Sequence, residues 1–212
     1  MITNNLLSVF KDFFRHESNE VGNTHELTAV AFNILNVDSF KFDNYPFFNL
    51  TKSIEVFNTL INEYNSQGDF NIQIGNYNLK AYEKMIKDFH LLLEKVDSND
   101  QKFLRSTRQL SITFDQMHCF QFIQFIFRGN ELDIHIGMRS CDIVNNLFSD
   151  LFLVTKLGMM ITSAFNKQGK IYIKQTNLKC FIGSLHVYNQ DYRSFRERIS
   201  AYVVRASQTY PL

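Results

Sequence analysis

The sequence has few cysteines and none of the cysteine spacings that hold a metal. Its three cysteines, Cys119, Cys141 and Cys180, cannot all pair within one chain, and no Cys-x-x-Cys pair of the zinc-binding kind occurs. No other metal-ligand cluster is recognisable, so we expect no metal site. Unpaired cysteines are typical of reducing compartments, and no basic stretch followed by an apolar run precedes the first helix. We therefore expect a cytoplasmic protein.

Motifs that identify several enzyme classes are also missing. The chain has neither a Gly-rich phosphate loop nor a serine nucleophile elbow. A formal net charge of +1 indicates no general attraction to nucleic acid or to a membrane surface. The most apolar segment, 147–165, contains Asp150 and Lys156, which indicates a buried helix and not a membrane span. A small anionic ligand held by a few arginines fits this composition better.

The chain length and the hydrophobic pattern predict one α+β domain, 1–212. Twenty-two phenylalanines among 212 residues predict a thick aromatic core. Apolar periodicity predicts helices over 3–15, 50–65, 79–96, 146–165 and 191–204. Apolar runs predict strands over 26–42, 109–114, 119–128, 131–138, 170–174 and 179–188. This order favours a large mixed, mainly antiparallel sheet flanked by helices.

A predicted hairpin brings a cysteine and an arginine together. Gly129-Asn130 is a turn signal, and pairing positions whose numbers add to about 258 or 259 puts Cys119 opposite Arg139 or its neighbour. Directly opposed residues lie roughly 5 Å apart, and a guanidinium at that distance favours the reactive thiolate. The alternative is that Cys119 is a small buried hydrophobe, the usual place of a free cysteine and the one we expect for Cys141 and Cys180.

The residues around Arg139 suit either a phosphate site or a helix cap. A guanidinium fork and the hydroxyl of Ser140 can donate to phosphate oxygens, with Arg105 and Arg108 as further candidates on a loop. Alternatively, Ser140 or Asp142 caps the following helix.

Three more polar residues lie where a ligand could use them. Asp150 stands in an apolar helix, so it must be paired, exposed or functional. His186 and Tyr188 alternate on a strand and share one face, which suits hydrogen bonds to one sugar hydroxyl. A satisfied histidine beside a core tyrosine is the alternative. We expect structural roles for His118 and His135.

Taken together, residues from about 105 to about 192 resemble the thymidylate synthase and pyrimidine hydroxymethylase family. Cys119 precedes Arg139 by 20 positions, the spacing from that family's nucleophile to its phosphate-binding arginine. Three segments resemble further family motifs: Gln124-Phe125, Arg139-Ser140-Cys141-Asp142 and Gly183-Ser184-Leu185-His186-Val187-Tyr188. The N-terminal part is divergent and the C-terminal tail is short.

The resemblance implies a thymidylate synthase-like fold, a homodimer and a set of roles. Cys119 would be the nucleophile and Glu63, on the helix 50–65, the catalytic glutamate. Asp142 would contact the pterin of methylenetetrahydrofolate. The other substrate-binding residues would be Arg139, Ser140, Gln124, His186, Tyr188 and, from the partner subunit, Arg105 and Arg108.

The resemblance also suggests the base. Asp150 occupies the position where thymidylate synthases carry a uracil-reading asparagine and deoxycytidylate hydroxymethylases an aspartate. The leading expectation is therefore transfer of a one-carbon unit to C5 of CMP or dCMP through a cysteine adduct. Two alternatives are a methylase acting on dUMP or UMP, and a nucleotide-binding or assembly protein that has lost folate chemistry.

Overall fold

The computed structural model describes residues 9–10, 19–37, 42, 45, 47–75, 77–97, 110–115, 118–167, 169 and 172–209. Within them the helices are α1 Leu50–Ser66, α2 Glu83–Asp97, α3 Leu147–Lys167 and α4 Asn189–Thr209, with a 3-10 helix at Leu79–Tyr82. The strands are β1 Asn19–Val21, β2 Thr24–Ile34, β3 Gln73–Ile74, β4 Tyr77–Asn78, β5 Ser111–Thr113, β6 Phe120–Arg128, β7 Glu131–Asp142 and β8 Gln175–Tyr188.

Six strands form one mixed sheet in the order β1-β2-β8-β7-β6-β5. All neighbours are antiparallel except β7 and β8, which run parallel because α3 connects them as a crossover. β3 and β4 form a separate two-stranded ribbon. The predicted α+β class with a mixed, mainly antiparallel sheet is confirmed.

The described helices pack on one face of the sheet around a single apolar core. Helix α3 is buried along most of its length, and an added Cβ on its Gly158 would meet the Ile134 side chain of β7 at 2.2 Å. Helix α2 reaches the same core through Phe89, whose ring centroid lies 6.2 Å from that of Phe125. Helix α3 has the length and hydropathy of a membrane span, but 67% of its most apolar window is buried here.

The four neighbouring strands β2, β8, β7 and β6 each have an irregularity at the same height in the sheet, and together these form a kink. Buried apolar side chains on β8 stand at even positions from Leu178 to Ile182 and at odd positions from Leu185, and on β7 they stand at even positions from Leu132 to Met138 and then at Cys141. The pairing of β6 with β7 shifts by one residue between Phe120 and Phe122. On β2 the change falls at Ala29, which has a φ of 53°. A one-residue irregularity moves every later side chain to the other face.

Several predicted elements are confirmed with small changes of boundary. Helices α1 and α2 match 50–65 and 79–96, and the turn at Gly129-Asn130 joins β6 to β7. Helices α3 and α4 begin and end within a few residues of 146–165 and 191–204, and β5 is shorter than 109–114. Of the predicted helix 3–15, only the helical residues 9–10 are described.

Two predicted strands are wrong in extent. The strand predicted over 26–42 ends at Ile34, and the backbone N–H of Asn36 beyond it donates to the side-chain Oδ1 of Asn177 at 3.0 Å. The segment predicted over 170–174 is not a strand in its described residues 172–174, and β8 begins at Gln175. The polar residues Thr176 and Asn177 resemble a loop in sequence but are buried in the sheet.

We predict that Gly183→Ala destabilises the protein, because its new Cβ would lie 2.7 Å from the backbone oxygen of Arg139. Backbone cannot yield as a flexible side chain does, so the expected loss in free energy of unfolding is about 1–3 kcal/mol, measured by urea unfolding. Thr28→Ala, an exposed change beside the same kink, is the control and should cost under about 1 kcal/mol. Equal losses in the two variants would show that the contact is unimportant.

Candidate functional site

Cys119 lies at the start of the β6–β7 hairpin and is exposed. The backbone N–H of Arg139 donates to the carbonyl oxygen of Cys119 at 2.7 Å, as the predicted register requires. The hydroxyl of Ser140 lies 3.9 Å from the Cys119 sulfur. The register shift between Phe120 and Phe122 ends regular pairing here and leaves the thiol at the mouth of a cavity.

This cavity has a volume of about 230 Å³ and brings together the two residues that sequence reasoning treated as nucleophile and base reader. Cys119 reaches it from the hairpin and Asp150 from the first turn of α3. The lining residues are Tyr77, Asn78, Ala81, Tyr82, His118, Cys119, Phe120, Asn146 and Asp150. The cavity therefore joins an accessible thiol to a buried carboxyl group.

Asp150 is 4% exposed and has one described side-chain partner. The hydroxyl of Tyr82 donates to Oδ1 at 2.8 Å. Burial raises the pKa of Asp150 from 3.8 to about 7, and the hydrogen bond from Tyr82 opposes that rise. A carboxyl group with this pKa is present in both protonation states near neutral pH, so it can act as donor or acceptor.

The two tyrosines of the cavity were missed by the sequence reasoning. Tyr77 comes from β4, and its hydroxyl donates to the carbonyl oxygens of Asn145 and Asn146 at 3.1 and 3.2 Å. Burial raises the pKa of the Tyr77 and Tyr82 hydroxyls, so both remain protonated. The only signal for them was indirect, since a carboxylate in an apolar helix requires a hydrogen-bond donor.

Asp142 serves the local turn. Its Oδ1 accepts the backbone N–H groups of Val144 and Asn145 at 2.9 and 3.1 Å, and its Oδ2 accepts the side-chain amide of Asn145 at 2.7 Å. The carboxylate thus shapes the turn before α3, which begins at Leu147. Arg139 lies on β7, which is separated from the β5 edge of the sheet only by β6, and its side chain is exposed.

His186 and Tyr188 lie on β8, next to the strand that carries Arg139. His186 pairs with Asp142 in the parallel register, and its ring lies edge-on to that of Tyr188 with centroids 5.4 Å apart. They alternate with Leu185 and Val187, which are buried in the core, so they lie on the opposite face of the strand. They are therefore near the Arg139 segment but outside the lining of the Cys119 cavity.

The remaining predicted site residues lie elsewhere. Glu63 lines a separate cavity of about 380 Å³ near the C-terminal end of α1, together with Tyr64 and Lys87. Gln124 alternates with the buried Ile123 and Phe125 and so faces the outer side of the sheet. Arg105 and Arg108 lie outside the described residues. The described part of the chain contains no cluster of metal-ligating side chains.

Comparison with protein-family models and with curated proteins finds no match to this chain.

We predict that Cys119 is the one thiol that reacts in the native protein. Cys119 is exposed, whereas Cys141 and Cys180 are buried and burial raises the pKa of both thiols. Titration with a chromogenic disulfide at pH 8 should modify one thiol in buffer and all three in denaturant. Cys119→Ser should abolish the native reaction and Cys141→Ser should retain it. Reaction of Cys141 in folded Cys119→Ser would contradict the arrangement.

We also predict that Asp150 makes the folded state less stable as pH rises. Its pKa is 3.8 when unfolded and about 7 when folded, so between these values only the folded state holds the proton. The free energy of unfolding should fall with increasing pH across this window, by at most about 1.4 kcal/mol per pH unit. Asp150→Asn removes the titration. Urea unfolding of both proteins from pH 4 to pH 7.5 measures the difference, and a constant difference would exclude a raised pKa.

Proposed function

We propose that this chain is a pyrimidine nucleotide C5 hydroxymethyltransferase-like enzyme that acts on CMP or dCMP through an adduct with Cys119. The observation that carries the proposal is the shared cavity of Cys119 and Asp150. A nucleophile for the pyrimidine ring and a carboxyl group for its polar edge are the two groups that this chemistry needs in one place. In sequence the two residues are 31 positions apart, and the hairpin and the helix bring them together.

The chain's own residues account for activation of the base. The thiolate of Cys119 adds to C6, the S–C6 bond forms, and the electron pair of the C5–C6 double bond moves to C5. The nucleophilic C5 takes a proton from water. Loss of the original C5 hydrogen as a proton then restores the double bond and expels the thiolate. The net result is exchange of the C5 hydrogen with solvent, and the same C5 carbanion is the species that a one-carbon donor would trap.

Phosphate binding is assigned to the Arg139 segment. Arg139 has an exposed guanidinium, and Ser140 places a hydroxyl beside the thiol. His186 and Tyr188 present polar groups on the adjacent strand and would hold the sugar. Guanidinium and hydroxyl donors are the groups that bind a monophosphate dianion.

Methylenetetrahydrofolate fits the described residues poorly. Asp142, the expected pterin contact, is 7% exposed, and its carboxylate accepts hydrogen bonds from Val144 and Asn145 in the local turn. Glu63, the expected catalytic glutamate, lines another cavity. These two observations favour the second candidate function, a nucleotide-binding protein that has lost folate chemistry. One-carbon transfer therefore remains a prediction, separate from activation of the base.

A homodimer is part of the proposal. The sheet face away from the helices carries a shallow apolar hollow between β2, β6, β7 and β8, and Phe181 at its edge is 49% exposed. A second copy of the chain would cover this face and would bring in arginines to complete the phosphate site, as the family resemblance implies.

Tritium release tests the proposal directly. CMP, dCMP and dUMP labelled at C5 are incubated with and without methylenetetrahydrofolate. We expect release from the cytosine nucleotides that Cys119→Ser abolishes and Cys141→Ser largely retains, because only Cys119 reaches the cavity. Stimulation by the folate would support one-carbon transfer. Nucleotide binding without release would favour the second candidate, and neither binding nor release would reject both.

A further inference from the structure

A neutral carboxyl group does not by itself distinguish cytosine from uracil. At the base edge cytosine presents a ring-nitrogen acceptor beside an amino donor, and uracil presents an N–H donor beside a carbonyl acceptor. A carboxylic acid has one O–H and one C=O, and its proton can sit on either oxygen. It can therefore match either base by moving the proton. Selectivity requires a second group that makes the two oxygens of Asp150 unequal.

The structure contains such a group. The hydroxyl of Tyr82 donates to Oδ1 of Asp150 at 2.8 Å. Burial raises the pKa of Tyr82 well above 10, so the phenol remains a donor throughout the neutral range. A phenol donates more strongly to the carbonyl oxygen of a carboxylic acid than to its hydroxyl oxygen, so this bond favours the form with C=O at Oδ1 and the proton on Oδ2. With Tyr82 in place, Oδ1 is therefore the acceptor and Oδ2 the donor of the carboxyl group.

We propose that Tyr82 is the specificity-determining residue of this site, because its hydrogen bond to Oδ1 holds the proton of Asp150 on Oδ2 and so selects cytosine over uracil. The inference rests on the proposed function and deepens it. Tyr82 acts through Asp150 and is a positioning residue. It lines the cavity from the 3-10 helix before α2, with its ring centroid 6.0 Å from that of Tyr77, so the phenol is held by neighbours on its own segment.

Other titratable groups face Asp150 and must be separated from its effect. They are Tyr77 on β4, Tyr82 on the 3-10 helix, Cys141 on β7, and His118 and Cys119 before β6. Burial raises the pKa of Tyr77 and Cys141, which therefore stay protonated near pH 7. His118 and Cys119 are unchanged in a Tyr82 variant, so a comparison of variants cancels their contributions.

The decisive measurement is the ratio of CMP to UMP affinity by calorimetry, because the shared phosphate and sugar cancel in that ratio. Wild type should prefer CMP. In Tyr82→Phe the ratio should fall at least about tenfold towards unity, because UMP binding would no longer leave a buried polar group without a hydrogen-bond partner. Tyr64→Phe, a tyrosine that lines the separate Glu63 cavity, is the matched control and should leave the ratio unchanged.

The pH dependence gives a second readout that a merely structural role would not move. A hydrogen bond to the ionised carboxylate lowers the pKa of Asp150, so its removal in Tyr82→Phe should shift the pH midpoint of the CMP-to-UMP ratio upwards. Asp150→Asn cannot lose a proton and should make the ratio independent of pH between 6 and 8. Thermal melting checks that each variant is folded.

The outcomes separate this inference from the function on which it rests. If wild type binds neither nucleotide, the proposed function fails and this inference with it. If wild type prefers CMP and folded Tyr82→Phe keeps the same ratio and midpoint, only the role of Tyr82 is overturned. Equal weakening of both nucleotides would also overturn it. If Tyr82→Phe does not fold, Tyr82→Gln keeps a donor and Tyr82→Leu does not, and equal ratios in that pair would reject the inference.

Discussion

The kink across the main sheet is the constraint on which the rest of the site depends. Where β7 and β8 cross this level, Gly183 packs so closely against the backbone of Arg139 that no side chain fits. The buried apolar side chains change from even to odd positions on both strands, so both strands contribute to the core before and after the kink. Beyond the kink, the end of β7 carries Ser140 and the end of β8 carries His186. Strand pairing of β6 begins at Phe120, and Cys119 just before it is exposed.

Two buried aspartates of this chain have pKa values shifted in opposite directions. Asp133 and Asp150 are 3% and 4% exposed. Burial raises the pKa of Asp133, but hydrogen bonds from Lys179 and Asn177 outweigh it and bring that pKa below its ordinary value. Asp150 has no described cation beside it and its pKa rises to about 7. A fully paired carboxylate is structural, whereas a carboxyl group kept near neutrality is typical of functional sites.

Local patterns predicted the elements, and tertiary contacts decided the site. The register that brings Cys119 to Arg139 followed from Gly129-Asn130 and the apolar runs beside it, because a short turn sets the pairing of its strands. The start of β8 was not predictable, since the burial of Asn177 depends on partners distant in sequence, among them Asp133 and the backbone N–H of Asn36.

The cavity shows the same limit of sequence reasoning. A carboxylate in an apolar helix indicates that Asp150 needs a hydrogen-bond donor, but that donor, Tyr82, comes from another segment and no spacing rule connects the two. Glu63 was assigned from its helix alone, and its position along α1 puts it in a different cavity. A pattern can indicate that a buried polar group needs a partner, but only the packing of segments identifies which one.

The position of Asp150 on α3 would by itself favour the ionised carboxylate. It lies in the first turn of the helix, where the unpaired backbone N–H groups favour a negative charge. Its hydrogen bond from Tyr82 also favours the ionised form. Burial outweighs the Tyr82 bond and brings the pKa to about 7, so a small change in the contents of the cavity would move the proton. Under the proposed function, a nucleotide base that offers a ring-nitrogen acceptor would stabilise the protonated form, and ligand binding would then be coupled to the charge of Asp150.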